Sequence, residues 1–337
     1  MAVKKIGQQT IQFQNPPKAI SAYSIVGPKE GQGPLNIWFD EVLEDDMCQE
    51  KSFEKAEGRM LRNTIISAMK KCKKTPKDID YMLGGDLLNQ LMSTSYTARD
   101  LSIPFFGLYG ACSTMTESIS LASVLIDGGF ADHVIAATSS HFSTAERQFR
   151  FPLEHGNQRP PTAQWTVTGS GALILSSEGS GPMVTHITTG KVVDYGISDV
   201  NNMGAAMAPA AADTIATHLS DTGRMPDFYD MILTGDLGEV GKKIVLDMLM
   251  GKGFSIEKVY NDCGLMIFDN SKQDTHSGGS GCGCSAAVFC GYIYKQLQSK
   301  KVKNILLVST GALLSTISTQ QGESIPGIAH AAVFSTA

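Results

Sequence analysis

The 337-residue chain is short of strong charge: its net charge is −5 with histidines neutral, and 18% of its residues are charged. It therefore has no broad field to gather nucleic acid or an anionic membrane, and an anionic ligand needs local donors. No stretch reaches 18 consecutive apolar residues, so no membrane-spanning helix is expected. The opening MAVKKIGQQT is not a signal peptide. With seven cysteines, an odd number, this reads as free thiols in a reducing compartment. Cys282 and Cys284 lack a second Cys or His pair at finger-like spacing, so no metal site is expected. The Gly-Ser-Gly at 169–171 lacks the dinucleotide and P-loop spacings, and no cofactor is expected.

What is present suits a sizeable core, since 42% of residues are hydrophobic. Length alone allows one large domain or two medium ones. The chain repeats itself. PKDIDYMLGGDLLNQ (76–90) and PDFYDMILTGDLGEV (226–240) both run from Pro through an apolar strand to Gly-Asp-Leu, placing Asp86 and Asp236 at equivalent strand ends. Cys112-Ser-Thr and Cys284-Ser-Ala each open a helical run, and each is followed by an apolar strand. Thr138 follows Cys112 by 26 residues, and Thr310 follows Cys284 by the same 26.

Each half thus reads as strand, helix, strand, Cys-helix, strand, strand. Strands are expected near 19–26, 79–85, 133–138 and 171–176, then near 183–193, 230–234, 305–310 and 328–335. Helices are expected near 50–73 and 112–128, then near 204–220, 237–250 and 284–299. VIAAT and ILLVST are short continuous apolar runs, as strands buried on both faces require. The alternation is that of an α/β protein with helices layered on sheets. EGSGP (178–182) is the joint, dividing the chain into halves 1–178 and 179–337.

Chemistry concentrates at Cys112. Gly110-Ala111-Cys112 ends an apolar stretch, and an amphipathic helix begins at once. A helix N-terminus lowers a thiol pKa and holds anions. The same pattern also fits an inert buried cysteine. Cys284 is its twin, in a glycine-rich turn that suits either close ligand approach or tight packing. His330 lies on a buried strand, where a histidine is either a satisfied core residue or a site residue. Arg147 and Arg150 sit in the long segment ERQFRFPLEHGNQRPPTAQW (146–165) with Arg159. Arginine forks match planar carboxylates, although a solvated loop accounts for them equally. KKCKK (70–74) reads as a helix C-terminus.

The two halves, each with a Cys-headed helix, resemble the thiolase superfamily, which implies a layered α-β-α-β-α unit. FRFPLEHGNQRPPTAQWTVTGSGALIL, ILTGDLGEVG, HSGGSGCGCSA and STGALLS…QQGESIPGIAHAAVF resemble, within it, the stage V sporulation protein AD family. Condensing enzymes of the superfamily pair their Cys with His-His or His-Asn. The matching positions here read Thr234-Gly235-Asp236 and Gly283-Cys284, which offer neither. A thiolate without its base and oxyanion donors is a poor Claisen catalyst.

The resemblance implies a non-catalytic binder of dipicolinic acid (pyridine-2,6-dicarboxylate), free or as its calcium chelate. It implies uptake into the developing spore, release at germination, and work alongside other stage V sporulation proteins of the same operon. The location implied is cytoplasmic or peripheral at the spore inner membrane, through partners. Calcium enters only with the ligand. A homodimer is expected by analogy. The ligand-binding set is Cys112, Asp86, Asp236, Cys284, His330, Arg147 and Arg150. The alternative is a Cys112-dependent acyltransferase or condensing enzyme, and a third reading is a scaffold with a vestigial pocket.

Overall fold

A computed structural model describes residues 2–150, 153 and 158–336. Of the long segment 146–165, residues 151, 152 and 154–157 thus lie outside the described residues. The first half runs β1 (Lys18–Val26), α1 (Phe53–Lys71), β2 (Tyr81–Gly85), α2 (Met92–Leu101), β3 (Phe105–Gly107), α3 (Thr114–Asp127), β4 (His133–Ser140), α4 (Phe142–Phe149) and β5 (Gly169–Ser176). The second runs β6 (Met183–Thr188), α5 (Met203–Thr222), β7 (Met231–Thr234), α6 (Gly238–Gly251), β8 (Tyr260–Asp262), α7 (Cys282–Val288), β9 (Asn304–Ala312) and β10 (Gly327–Ser335).

Across the sheet the order is β8-β7-β9-β10-β6-β1-β5-β4-β2-β3. Read outward from the middle, each half presents its first, fifth, fourth, second and third strand. In each half the fifth strand alone runs opposite to the other four, and the outer pairings are parallel. The seam is narrow. Met183 faces Lys18, flanked by Ala19 N–H to Pro182 O (2.8 Å) and Val184 N–H to Pro17 O (2.9 Å).

The continuous apolar runs explain the layering, because side chains alternate across a strand. Val134 and Ala136 face inward, into one cluster with Leu307, Ala332 and Phe334 of the other half. Ile135 and Ala137 face outward, onto Leu61 and Ile65 of α1. Leu306 and Val308 face outward, onto Ala211 and Ile215 of α5. Met115 and Ile119 of α3 and Ala286 and Val288 of α7 join the inner cluster. The result is the layered α-β-α-β-α unit, with the two Cys-headed helices between the sheets. α1 ends at Lys71, so the basic run does close a helix, with Lys70 and Lys71 in its last turn.

Three local expectations are corrected. α3 begins at Thr114, because a 3-10 turn (Ala111–Ser113) precedes it with Ala111 at φ 49°. α7 begins at Cys282, two residues before Cys284, and continues through a π-helical turn (Phe289–Ile293) to Tyr294–Gln298. The strand expected at 183–193 stops at Thr188; beyond it Gly190 N–H donates to the His330 ring rather than to a ladder. α2, α4, β3 and β8 had no expectation at all, being short or polar.

Candidate functional site

The loop after β3, the length of α4, the start of α5 and the end of β9 converge on one cavity. Tyr109, Ala111 and Cys112 form one side, Ala145, Phe149 and Arg150 of α4 a second, and Met203, Ala312 and Leu314 a third. Thr166 and Ser280 close it; they are held side by side because Trp165–Thr166 pairs in parallel with Gly279–Ser280. Both halves therefore build the cavity. Its volume is about 30 Å³, room for about two waters. Anything larger enters only if a wall moves.

Cys112 is 6% exposed. The Asp236 carboxylate, itself held by Gly281 N–H, is the nearest charge acting on its thiol. Burial pushes the thiol well above its usual pKa, with Asp236 and Cys282 adding to the rise. The expected lowering by a helix end is overturned. The intervening 3-10 turn displaces the helix start from the sulfur, and desolvation with a carboxylate neighbour outweighs the one favourable amide.

Asp236 is fully buried and accepts from Gly281 N–H (2.9 Å), Ser280 Oγ (3.2 Å) and Thr310 Oγ1 (2.6 Å). Burial raises its pKa to about 6. It backs Cys112 rather than lining the cavity. Asp86, its repeat partner, lies elsewhere: it accepts from Leu88 N–H (2.8 Å) and from Thr94 N–H and Oγ1 (2.7 and 2.6 Å), holding the first turns of α2. Its lone pairs are committed within the chain, and the cavity wall does not include it.

Cys284 and His330 were expected to complete the wall, and neither does. Cys284 is sealed in the core between the sheets. His330 is buried on β10 and accepts Gly190 N–H on Nδ1 at 3.2 Å; burial lowers its pKa to about 4, so it is neutral at pH 7. The arginines separate. Arg150 lines the cavity, almost wholly buried, with its guanidinium on Glu146 one turn back. Thr166 Oγ1 also donates to Glu146 (3.3 Å). Arg147 points away and pairs with Glu54 of α1. The reason is helical: Arg150 shares a face with Glu146 at i, i+4, and Arg147 does not.

Among the described residues no group of three or more His, Cys, Asp or Glu is arranged to hold a metal. Sequence reasoning missed Tyr109, Phe149, Met203, Thr166, Ser280, Ala312 and Leu314. Phe149, Thr166, Ser280, Ala312 and Leu314 lie inside the segments that carry the family resemblance, and Glu146 and Arg150 stand at helical spacing before the long loop, so a signal existed for these; Tyr109 and Met203 had none.

Comparison with known proteins fits this geometry. Over residues 7–335 the chain matches the family of stage V sporulation protein AD. It is 49% identical to stage V sporulation protein AD of Bacillus subtilis (strain 168) over 335 residues, 99% of each chain. Its fold is similar to that of 3-oxoacyl-[acyl-carrier-protein] synthase III from Aquifex aeolicus VF5, with TM-score 0.57, 11% identity, and coverage of 95% of this chain and 99% of that one. The corresponding synthase from Pseudomonas aeruginosa PAO1 gives TM-score 0.54 and 11% identity, covering 95% and 98%. At those identities the synthases speak for the fold alone. On a match that spans nearly its whole length, the chain belongs to the stage V sporulation protein AD family.

Proposed function

We propose that this protein binds dipicolinic acid, free or as its calcium chelate, without chemical turnover, and serves its uptake into the developing spore and its release at germination. The observation that carries the non-catalytic part is the environment of Cys112. Burial and a buried carboxylate neighbour, Asp236, keep its thiol protonated, and among the described residues no histidine lines the cavity. A thiol held protonated is a poor nucleophile.

The cavity's chemistry supports a small planar acid. Arg150 supplies a carboxylate fork, Thr166 and Ser280 supply hydroxyls, and Phe149, Tyr109 and Leu314 supply apolar surface. Glu146 already balances Arg150, so a dianion meets a nearly neutral wall, and the neutral calcium chelate suits it better than the free acid. Entry requires the α4 roof to shift. Uptake, release, a peripheral place at the spore inner membrane and work with other stage V proteins follow the family resemblance. A homodimer follows the fold. Among the described residues no helix is long and apolar enough to cross a membrane.

Calorimetry with dipicolinate, with and without calcium, tests the reading. A saturable heat is expected, weakened about tenfold or more by Arg150→Gln and by no more than about twofold by Arg147→Gln. No heat at millimolar ligand sinks it. The fold neighbours are synthases, so the competing outcome is acyl transfer. A stable acyl adduct on Cys112 after incubation with acyl-CoA, seen by mass spectrometry, would establish that instead.

A further inference from the structure

A second cluster of charge lies outside the cavity, around Trp165. Phe142, the first residue of α4, lies flat on the indole, with centroids 3.8 Å apart and planes 12° apart. Two cations crowd the opposite side: Lys29 Nζ is 3.6 Å from the ring centroid and Arg159 Cζ is 4.7 Å from it. Like charges this close repel, and burial and Arg159 both lower the Lys29 pKa. Something negative must offset them.

The chain's nearest answer is Asp274, with Glu30 acting on Lys29 and Glu146 on Arg159 behind it, and it is a partial one. The Asp274 carbonyl accepts from Arg159 Nη2 (2.6 Å) and Lys29 Nζ (3.4 Å). Its carboxylate is 3.5 Å from Arg159 Nη2 and 3.1 Å from His276 Nε2, yet its side chain is 76% exposed. The Arg159 side chain is only 11% exposed, and its Nη1 is buried with no acceptor among the described residues. A buried guanidinium nitrogen without an acceptor is costly. A solvated, weakly placed carboxylate beside it has the character of a removable occupant.

We infer that Lys29 and Arg159, set on the face of Trp165, form with His276, which shares the Asp274 carboxylate, an anion-binding site outside the Cys112 cavity for a small carboxylate or phosphate, with that carboxylate as the placeholder it displaces. Arg159 provides the fork, Lys29 a point charge, and the indole the apolar floor. The site does not depend on what fills the Cys112 cavity. It does adjoin it, because Phe142 begins the helix that carries Phe149 and Arg150, and Thr166 follows Trp165.

The chain has two tryptophans, so Trp38→Phe leaves Trp165 as the sole fluorophore. That protein would be titrated with inorganic phosphate and, separately, with succinate, against sodium chloride at equal ionic strength. A saturable change in emission with either anion is expected, assigning phosphate or carboxylate chemistry by which one acts. Arg159→Gln should weaken it about tenfold or more, and Asp274→Asn should tighten it about threefold by removing the competitor. Calorimetry with the same anions on the unsubstituted protein and on Lys29→Gln repeats the test should Trp38→Phe fail to fold. A response no different from chloride, or one that survives Arg159→Gln, or one weakened by Asp274→Asn, overturns the assignment.

Discussion

The two cysteine helices began as one design and ended differently. Both follow the same strand order and sit between the sheets. Cys112 borders a cavity, while Cys284 is wholly enclosed with Leu233 and Leu307. The difference lies in the backbone beside each sulfur. Ala111, preceding Cys112, holds φ 49°, a left-handed conformation, and its methyl stands at the cavity wall. Its counterpart is Gly283. A methyl there would lie 2.3 Å from Gly169 O and 2.8 Å from Ser140 N, so glycine lets the first half's backbone close over the second cysteine. Duplication supplied two equivalent corners, one sealed at Gly283 and one left open beside Ala111.

The sharpest way to break this comparison is to exchange the two preceding residues. Gly283→Ala forces main chain apart and should cost about 3 kcal/mol or prevent folding. Ala111→Gly relieves a left-handed alanine and should change stability by no more than about 1 kcal/mol in either direction. Urea denaturation of both variants measures this, and equal losses would refute the account. Next in size is overfilling. Cys284→Leu enters solid core and should cost about 2 kcal/mol, whereas Cys112→Leu has a cavity to enter and should cost less than about 1 kcal/mol.

The hollow corner was legible in outline. Matching Gly-Asp-Leu segments, matching 26-residue offsets and runs such as Val134–Ala137 disclosed the repeat, because strand burial and repetition are written in local order. The chemistry of the corner was not. That Asp236 touches Cys112, and that Asp86 does not share its role, depends on loops 40 or more residues apart in sequence meeting around Gly281 and Thr310. Arg147 lies on α4 and Arg150, three positions on, caps its end, and only the packing of α4 tells them apart.

A third expectation sharpens the contrast at Asp236 itself. The second half gives the first half's thiol a carboxylate neighbour that opposes its ionisation. Asp236→Asn keeps an acceptor for Thr310 and removes the charge. Alkylation of Cys112 by iodoacetamide at pH 8, followed by peptide mass spectrometry, should then speed up about tenfold, one pKa unit's worth. An unchanged rate would mean that burial alone silences the thiol.

The smallest expected effect contrasts one buried group from each half by the sign of its response to pH. The first half buries Glu30, whose pKa burial raises from 4.5 to about 8. The folded state then holds a proton that the unfolded state has lost, so this contribution is complete below pH 4.5 and disappears as pH rises to about 8. The second half buries His218, between Thr188 and Tyr229, with its pKa lowered from 6.5 to about 3. There the unfolded state holds the extra proton, so stability falls as pH drops from 6.5 toward 3. From pH 7 to pH 8 His218 is silent and Glu30 still titrates. Glu30→Gln should therefore remove about 1 kcal/mol of the stability lost over that interval. Glu57, raised to about 8 in the same way, keeps a residual slope in the variant. Urea midpoints at the two pH values decide it. A slope as steep in the variant as in the parent would show that the Glu30 carboxyl is already ionised in the fold.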